Sequence, residues 1–246
     1  MNAGEIYDYI DRIAPFCRQE EWDNSGFQVG ERAKEVHKIL FALDATADLV
    51  REAHQKQCDL IVTHHPFLFQ AQKQFTEQNP AYLAAKYNIA VISAHTSYDC
   101  ADGGVNDVLA ELLELQNIRK SENGLYRLGE TKCKTALEFA AFAKSVLHAT
   151  VAVSLPQKEI KLVAVCGGAA MEFALEAQAA GADLYFTGDA KHHEILDAAE
   201  CGLSVAAAGH FQTEFPAVVS LKNRVQAQFP EISCVLSAQT APSVTV

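Results

Sequence analysis

Three short stretches of the chain carry side chains that bind metals. "VTHHP" sets His64 and His65 side by side after an apolar run, with Pro66 behind them. "HTSYD" places His95 and Asp99 four residues apart, and "HFQTE" does the same for His210 and Glu214. Residues four apart share one face of a helix, and in a tight loop such a pair can also converge. Imidazole nitrogen and carboxylate oxygen together suit Zn, Mn or Fe. Six donors exceed what one tetrahedral ion takes up. Two ions about 3.5–4 Å apart would use them, activating water and holding the attacking and leaving groups. Neighbours on an extended strand point to opposite faces, so His64 and His65 are expected to diverge, one toward each metal. Taken singly, each motif reads as well as a structural histidine or an exposed loop. The metal reading draws its weight from three groups in equivalent places.

Those places are strand ends. "KILFAL" (38–43), "DLIVT" (59–63) and "IAVISA" (89–94) read as strands, alternating with helices over 46–57, 79–87 and 103–115, the last with Asp102 as its N-cap. The plan then repeats with strands over 161–166, 183–187 and 203–208 and helices over 171–180 and 190–200. Shifting the first half by 124 residues lays Asp59, Leu60 and Thr63 on Asp183, Leu184 and Thr187. A shift of 114 lays "AAKYNIAVISA" on "AAECGLSVAAA", so that His95 and His210 follow equivalent strands. The expected fold is α/β: two similar α/β lobes from an internal duplication, with helices packed on mixed sheets. The first lobe is expected over 1–116, a connecting segment over 117–160 and the second lobe over 161–246, as one compact unit. Within the connection, "ENGLYRLGE" reads as a turn between strands, 136–147 as a helix and 150–155 as a strand; "SCVLSAQTAPSV" reads as an edge strand and tail. In such sheets, ligands bind beyond the carboxyl ends of the strands, where all three motifs fall.

Composition narrows the function. The formal net charge of −11 opposes a broad nucleic-acid groove, which needs Lys and Arg to neutralise phosphate. Seven scattered cysteines form neither a disulfide framework nor a thiolate zinc site and fit reduced cytosolic thiols. The acidic, amphipathic opening "MNAGEIYDYIDRIAPF" is unlike a signal peptide, and no apolar run reaches membrane-spanning length. A cytoplasmic protein without membrane association is expected. No GxxxxGK[ST] phosphate loop occurs.

Other segments have plainer readings. "EWDNSGFQVG" is a structural loop anchored by Trp22, or else brings Asp23 or Asn24 near the site. "DGGVND" is a capped turn in preference to an anion cradle. "KHHE" (Lys191 to Glu194) is expected mid-helix on a solvated face, and His37, His54 and His148 are read as structural.

With "EWDNSGFQVG", "VTHHP", "HTSYDCADGGVND" and "GHFQTE" in order, the chain resembles the NIF-three-like family of dinuclear metal-centre proteins, also named GTP cyclohydrolase type 2 homologues. The resemblance runs essentially end to end. It implies two α/β lobes assembled into a toroidal homohexamer, with two divalent metal ions per subunit (Zn, Fe or Mn). By motif, His64, His65, Asp99, His210 and Glu214 fall on the family's metal ligands, and His95 on a site histidine that ligates or acts as the catalytic acid–base. Ser97 and Tyr98 stand where relatives often carry Asn and Leu. The implied activity is hydrolysis of a nucleotide or related small molecule, GTP cyclohydrolase-like by name. A non-enzymatic metal-handling role is the alternative, and a nucleic-acid-associated repair role ranks third.

Overall fold

A computed structural model describes residues 1–243 of the chain. The chain begins with helix α1 (Ala3–Ile13) and strands β1 (Gly26–Val29) and β2 (Lys38–Ala42). Helix α2 (Ala47–Gln55), β3 (Leu60–Thr63), α3 (Pro80–Lys86), β4 (Ala90–Ser93) and the one-turn α4 (Thr96–Asp99) follow. Next come α5 (Val105–Leu112), β5 (Gln116–Lys120), β6 (Arg127–Glu130), α6 (Ala136–Leu147) and β7 (Ala152–Val153). The last elements are β8 (Leu162–Val165), α7 (Ala174–Ala179), β9 (Leu184–Thr187), α8 (His192–Glu200), β10 (Ser204–Ala207), α9 (His210–Gln228) and β11 (Ser233–Leu236). Met1–Gly104 and Ala217–Thr240 pack as one unit, Val105–Pro216 as a second.

In the first unit the strand order is β1-β4-β3-β2-β11. Four strands run parallel, and β1 pairs antiparallel with β4 at the edge. Leu40, Ile61 and Val91 project from one face of this sheet onto Leu49, Val50 and Ala53 of α2 and Leu83 and Ala84 of α3. The alternate positions Ile39, Phe41, Leu60, Val62 and Ile92 are equally buried. Burial on both faces explains why these strands read as near-continuous apolar runs. Side-chain caps start the helices: Asn2 and Glu5 bond each other's backbone N–H at α1, and Thr46 and Asn79 cap α2 and α3.

The second unit has a six-stranded mixed sheet in the order β5-β6-β8-β9-β10-β7. Its central strands β8, β9 and β10 are parallel, and the remaining pairings are antiparallel. Val163, Val165, Leu184, Phe186 and Ala206 face a cluster with α5 and α6, centred on Leu109, Phe139 and Ala143. Ala164, Cys166, Tyr185 and Val205 face the opposite way, onto Ala174 and Ala177 of α7 and Ala198 of α8. The period of two in the sequence thus sorts one strand set into two cores.

The duplication has a structural counterpart. Asp59 accepts backbone N–H bonds from His37 and Lys38 at the start of β2. Asp183 does the same for Lys161 and Leu162 at the start of β8. One carboxylate, at the position matched by the 124-residue shift, ties the same pair of neighbouring strands in each unit.

Several details depart from the sequence reading. Residues 117–160 supply β6, α6 and β7 and part of β5 to the second unit's sheet and core, with the predicted turn at Ser121–Gly124. The expected strand over 150–155 shrinks to β7, because Ser154 Oγ takes the Val205 N–H in place of a backbone partner and Leu155 turns to φ +45°. Helix α5 begins at Val105 instead of residue 103, after Gly103 at φ +68°. "KHHE" opens α8 rather than lying inside it, and the Glu194 carboxylate accepts the Lys191 N–H at 2.7 Å. The edge strand predicted in the tail is β11, and Val244 at the end of that stretch lies outside the described residues.

Candidate metal centre

Every expected site residue follows a strand's carboxyl end. In the first unit, β3 ends at Thr63 and His64 follows at once. Its backbone N–H still reaches Ala42 O (3.2 Å), and that of His65 reaches Leu43 O (2.9 Å). Thr63 Oγ1 donates to His65 O at 2.8 Å, folding the chain over just before Pro66. The strand's strict alternation therefore ends with Thr63, and the two imidazoles do not project to opposite faces. Their centres are 5.0 Å apart, and the ligating atoms of His64, His65 and His95 lie within 4.8 Å of one another. The expected divergence is corrected to convergence.

What does diverge is the other ring nitrogen. His64 Nδ1 lies 2.8 Å from Ala94 O beside β4, whereas His65 Nδ1 lies 2.7 Å from Asp44 Oδ1 beyond β2. His95 Nδ1 bonds Asp23 Oδ1 at 2.8 Å. Carbonyl and carboxylate oxygens only accept, so each contact places a proton on Nδ1 and leaves Nε2 as the nitrogen able to bind a cation. The sharper reading of "EWDNSGFQVG" is the right one for Asp23. Its side chain is wholly buried and also accepts from Thr96 N, Thr96 Oγ1 and Ser25 Oγ. Burial alone would push this carboxyl up. The bonds from His95 and Thr96, with the His95 charge and the Asn24 N–H, outweigh burial and hold it well below the usual carboxylate range. Trp22, by contrast, anchors nothing by burial, being 57% exposed. Asp99, at the end of α4, brings Oδ1 to 3.5 Å from His64 Nε2.

The second unit repeats the device. His210 opens α9 three residues past β10, and its Nδ1 lies 2.8 Å from Asp189 Oδ2. On its other side His210 Nε2 meets Glu214 Oε2 at 3.0 Å, the one-turn spacing seen in the sequence. Asp189 stands two residues past β9, the place that His65 takes past β3. Two glycines make room. Gly168 has φ +67°, and a Cβ there would run into the Glu214 carboxylate. A Cβ at Gly188 would come within 2.9 Å of His210 Cα. Only glycine fits either position.

Nothing in the sequence alone singles out Asp44 or Asp189. Each is a single acid in a loop, without the repeated spacing that marks the histidines. The available signal was position, since both lie within two residues of a strand's end. Of the remaining histidines, His54 stacks on Tyr87 at 4.1 Å and His148 ends α6 in the left-handed conformation. Around "DGGVND", Arg224 donates to the carbonyls of Asp102 and Gly103, and Asn106 binds Leu125 O and the Gly167 N–H, as fits a structural turn.

These residues fit divalent metal ions. Each of the four imidazoles has Nδ1 engaged; within its own unit His64 Nε2 faces Asp99 and His210 Nε2 faces Glu214, pairings that a cation satisfies better than the partners satisfy each other. Among the described residues no helix is long and apolar enough to cross a membrane.

Comparison with known proteins identifies the family and the fold. Residues 1–242 match the family described as Duf34/NIF3 (NGG1p interacting factor 3). A Clostridium perfringens protein named GTP cyclohydrolase 1 type 2 homolog is 35% identical over 241 residues, covering 92% of each chain. A Methanocaldococcus jannaschii protein of the same name is 35% identical over 222 residues, 87% of this chain and 90% of its own. Among solved structures, Staphylococcus aureus protein SA1388 superposes with a TM-score of 0.93 at 26% identity, over 100% of this chain and 99% of its own. Reduced HcgD from M. jannaschii gives 0.85 at 30% identity, over 97% and 98%. The chain belongs to the Duf34/NIF3 family.

Proposed function

We propose that this protein is a metal-dependent hydrolase whose dinuclear centre is held by His64, His65, Asp99, His210 and Glu214. The observation that carries the reading is the uniform treatment of four imidazoles. His64, His65, His95 and His210 each give Nδ1 to a backbone carbonyl or a carboxylate and keep Nε2 for a metal ion or, at His95, a proton. Structural histidines have no need of that shared polarity. Two divalent ions (Zn, Fe or Mn) would supply Lewis acidity and a water with its pKa lowered toward neutrality.

The chain's own residues would do the rest. His95 is the acid–base: Asp23 fixes its ring, and the buried carboxylate steadies the imidazolium that forms when Nε2 takes a proton. His95 Nε2 then returns that proton to the leaving group. The substrate in this reading is a small molecule, a nucleotide or a relative of one. The names of the curated relatives make GTP the first compound to try. The net charge of −11 favours a small molecule over nucleic acid. A cytoplasmic homohexamer completes the reading, by the family resemblance.

The test is turnover. Protein purified without chelator is incubated with GTP and a panel of phosphoesters, then stripped of metal and reloaded. Hydrolysis lost on stripping and regained on reloading supports the proposal. Metal held tightly without hydrolysis of any compound would replace it with metal handling.

A further inference from the structure

Beside His95 the first unit exposes aromatic surface that neither the fold nor the ligand set uses. Phe69 is 45% exposed and Phe75 54%, and Trp22, the chain's single tryptophan, is more exposed still. Trp22 and Phe69 pack together with ring centres 5.4 Å apart, and each meets the His95 ring nearly edge-on at 5.8 Å. Next to them opens a cavity of about 400 Å³, bounded by Leu68, Phe69 and Phe75 and by the amides of Asn24, Gln70 and Gln72. Asn24 Nδ2 donates to Leu68 O at 2.7 Å, tying the two loops that form the walls. Asp23 also lines the cavity, so the residue that orients His95 is at its wall.

The shape and chemistry specify an occupant. The volume falls within the range of small-molecule sites, toward the small end. Aromatic faces stack on flat rings, and side-chain amides offer donors and acceptors to a ring edge that carries both. No lysine or arginine lines the cavity, so it is not built to seat a phosphate. We infer that this cavity binds a planar nitrogen heterocycle of nucleobase size, stacked on Phe69, which Trp22 backs, and read by Gln70 and Gln72. Phe69 of its wall lies against the His95 ring, which makes the cavity the ring subsite of the substrate. That role rests on the hydrolase reading, whereas binding of the ring does not.

Trp22 reports on the cavity through its contact with Phe69, and no other tryptophan emits. Full-length metal-loaded protein is titrated with guanosine, adenosine and a pterin while Trp22 emission is followed, with ribose 5-phosphate and inorganic phosphate as controls. The expected result is saturable quenching by at least one heterocycle and none by the controls. Phe69→Ala should weaken that binding about tenfold, in line with the worth of one base–aromatic stack, with metal content unchanged. Phe75→Ala, elsewhere on the wall, gives a second reading should the first variant fold poorly. Absence of saturable quenching by every heterocycle, with or without metal, overturns the inference. So does unaltered affinity in both folded variants. A smaller assembly on gel filtration for Phe69→Ala, without heterocycle binding to the parent protein, would assign the aromatics to contact between copies and also overturn it. Quenching in a protein that hydrolyses nothing sustains the ring site and sinks the hydrolase.

Discussion

Asp23 Oδ1 lies 2.8 Å from Nδ1 of His95, across 72 residues of sequence. The bond joins the loop before β1 to the turn after β4 and sets which nitrogen of His95 faces the other two imidazoles. Asp23→Asn keeps an acceptor for Nδ1–H but removes the charge. Turnover of the metal-loaded protein is predicted to fall about 100-fold or more, with metal content and the far-UV circular dichroism unchanged.

The same carboxylate makes a pH prediction for the metal-free protein. Its folded pKa is held below the unfolded value, so it contributes stability above about pH 4 that is lost as pH falls. The drop in Tm between neutral and acid pH should be smaller in Asp23→Asn than in the parent. Equal drops would mean that Asp23 is not the charged partner described.

Asp44 and Asp189 hold His65 and His210 in the same manner, one in each unit. Asp44→Ala and Asp189→Ala should each weaken metal binding by about tenfold or more while leaving a folded chain. Isothermal titration of the stripped variants checks this. Affinities equal to the parent's would reduce both acids to surface residues.

Gly168 combines φ +67° with a missing Cβ that would strike Glu214. Gly168→Ala is predicted to cost about 1–3 kcal/mol and to lower Tm by several degrees in thermal unfolding. Metal content should fall as well, since Glu214 must shift to make room. A variant with unchanged Tm and metal would contradict the packing.

Thiol chemistry tests the burial pattern apart from the site. Burial pushes the thiols of Cys58 and Cys234 up to about 11, while Cys17 and Cys201 are exposed. At mildly alkaline pH, iodoacetamide should modify Cys17 and Cys201 first and leave Cys58 and Cys234 intact until the chain unfolds, as read by peptide mass spectrometry.

Local signals were legible and long-range ones were not. The strands of both units stand out because burial on two faces makes them continuously apolar, as in "KLVAVC" and "DLYFT". His64, His65, His95 and His210 could be found because each follows such a strand within three residues. Asp44 and Asp189 could not, since an acid in a loop declares its partner only once strand order brings that partner alongside. The convergence of His64 and His65 was hidden too. It depends on Thr63 Oγ1 bending the chain back to His65 O, a bond that no periodicity records. The start of α8 was misplaced because "AKHHEILDAAE" has helix-forming residues throughout, and only the Glu194 bond to the Lys191 N–H marks where it begins.

The central claim is that His65 and Glu214 are ligands of a metal pair. The most direct measurement is metal per chain by plasma mass spectrometry, on the parent protein, His65→Ala and Glu214→Ala, all shown to be folded. The account predicts about two transition ions per parent chain and clear loss in both variants. Full metal content in both variants, or a parent chain that holds no ion even after reloading, would contradict it.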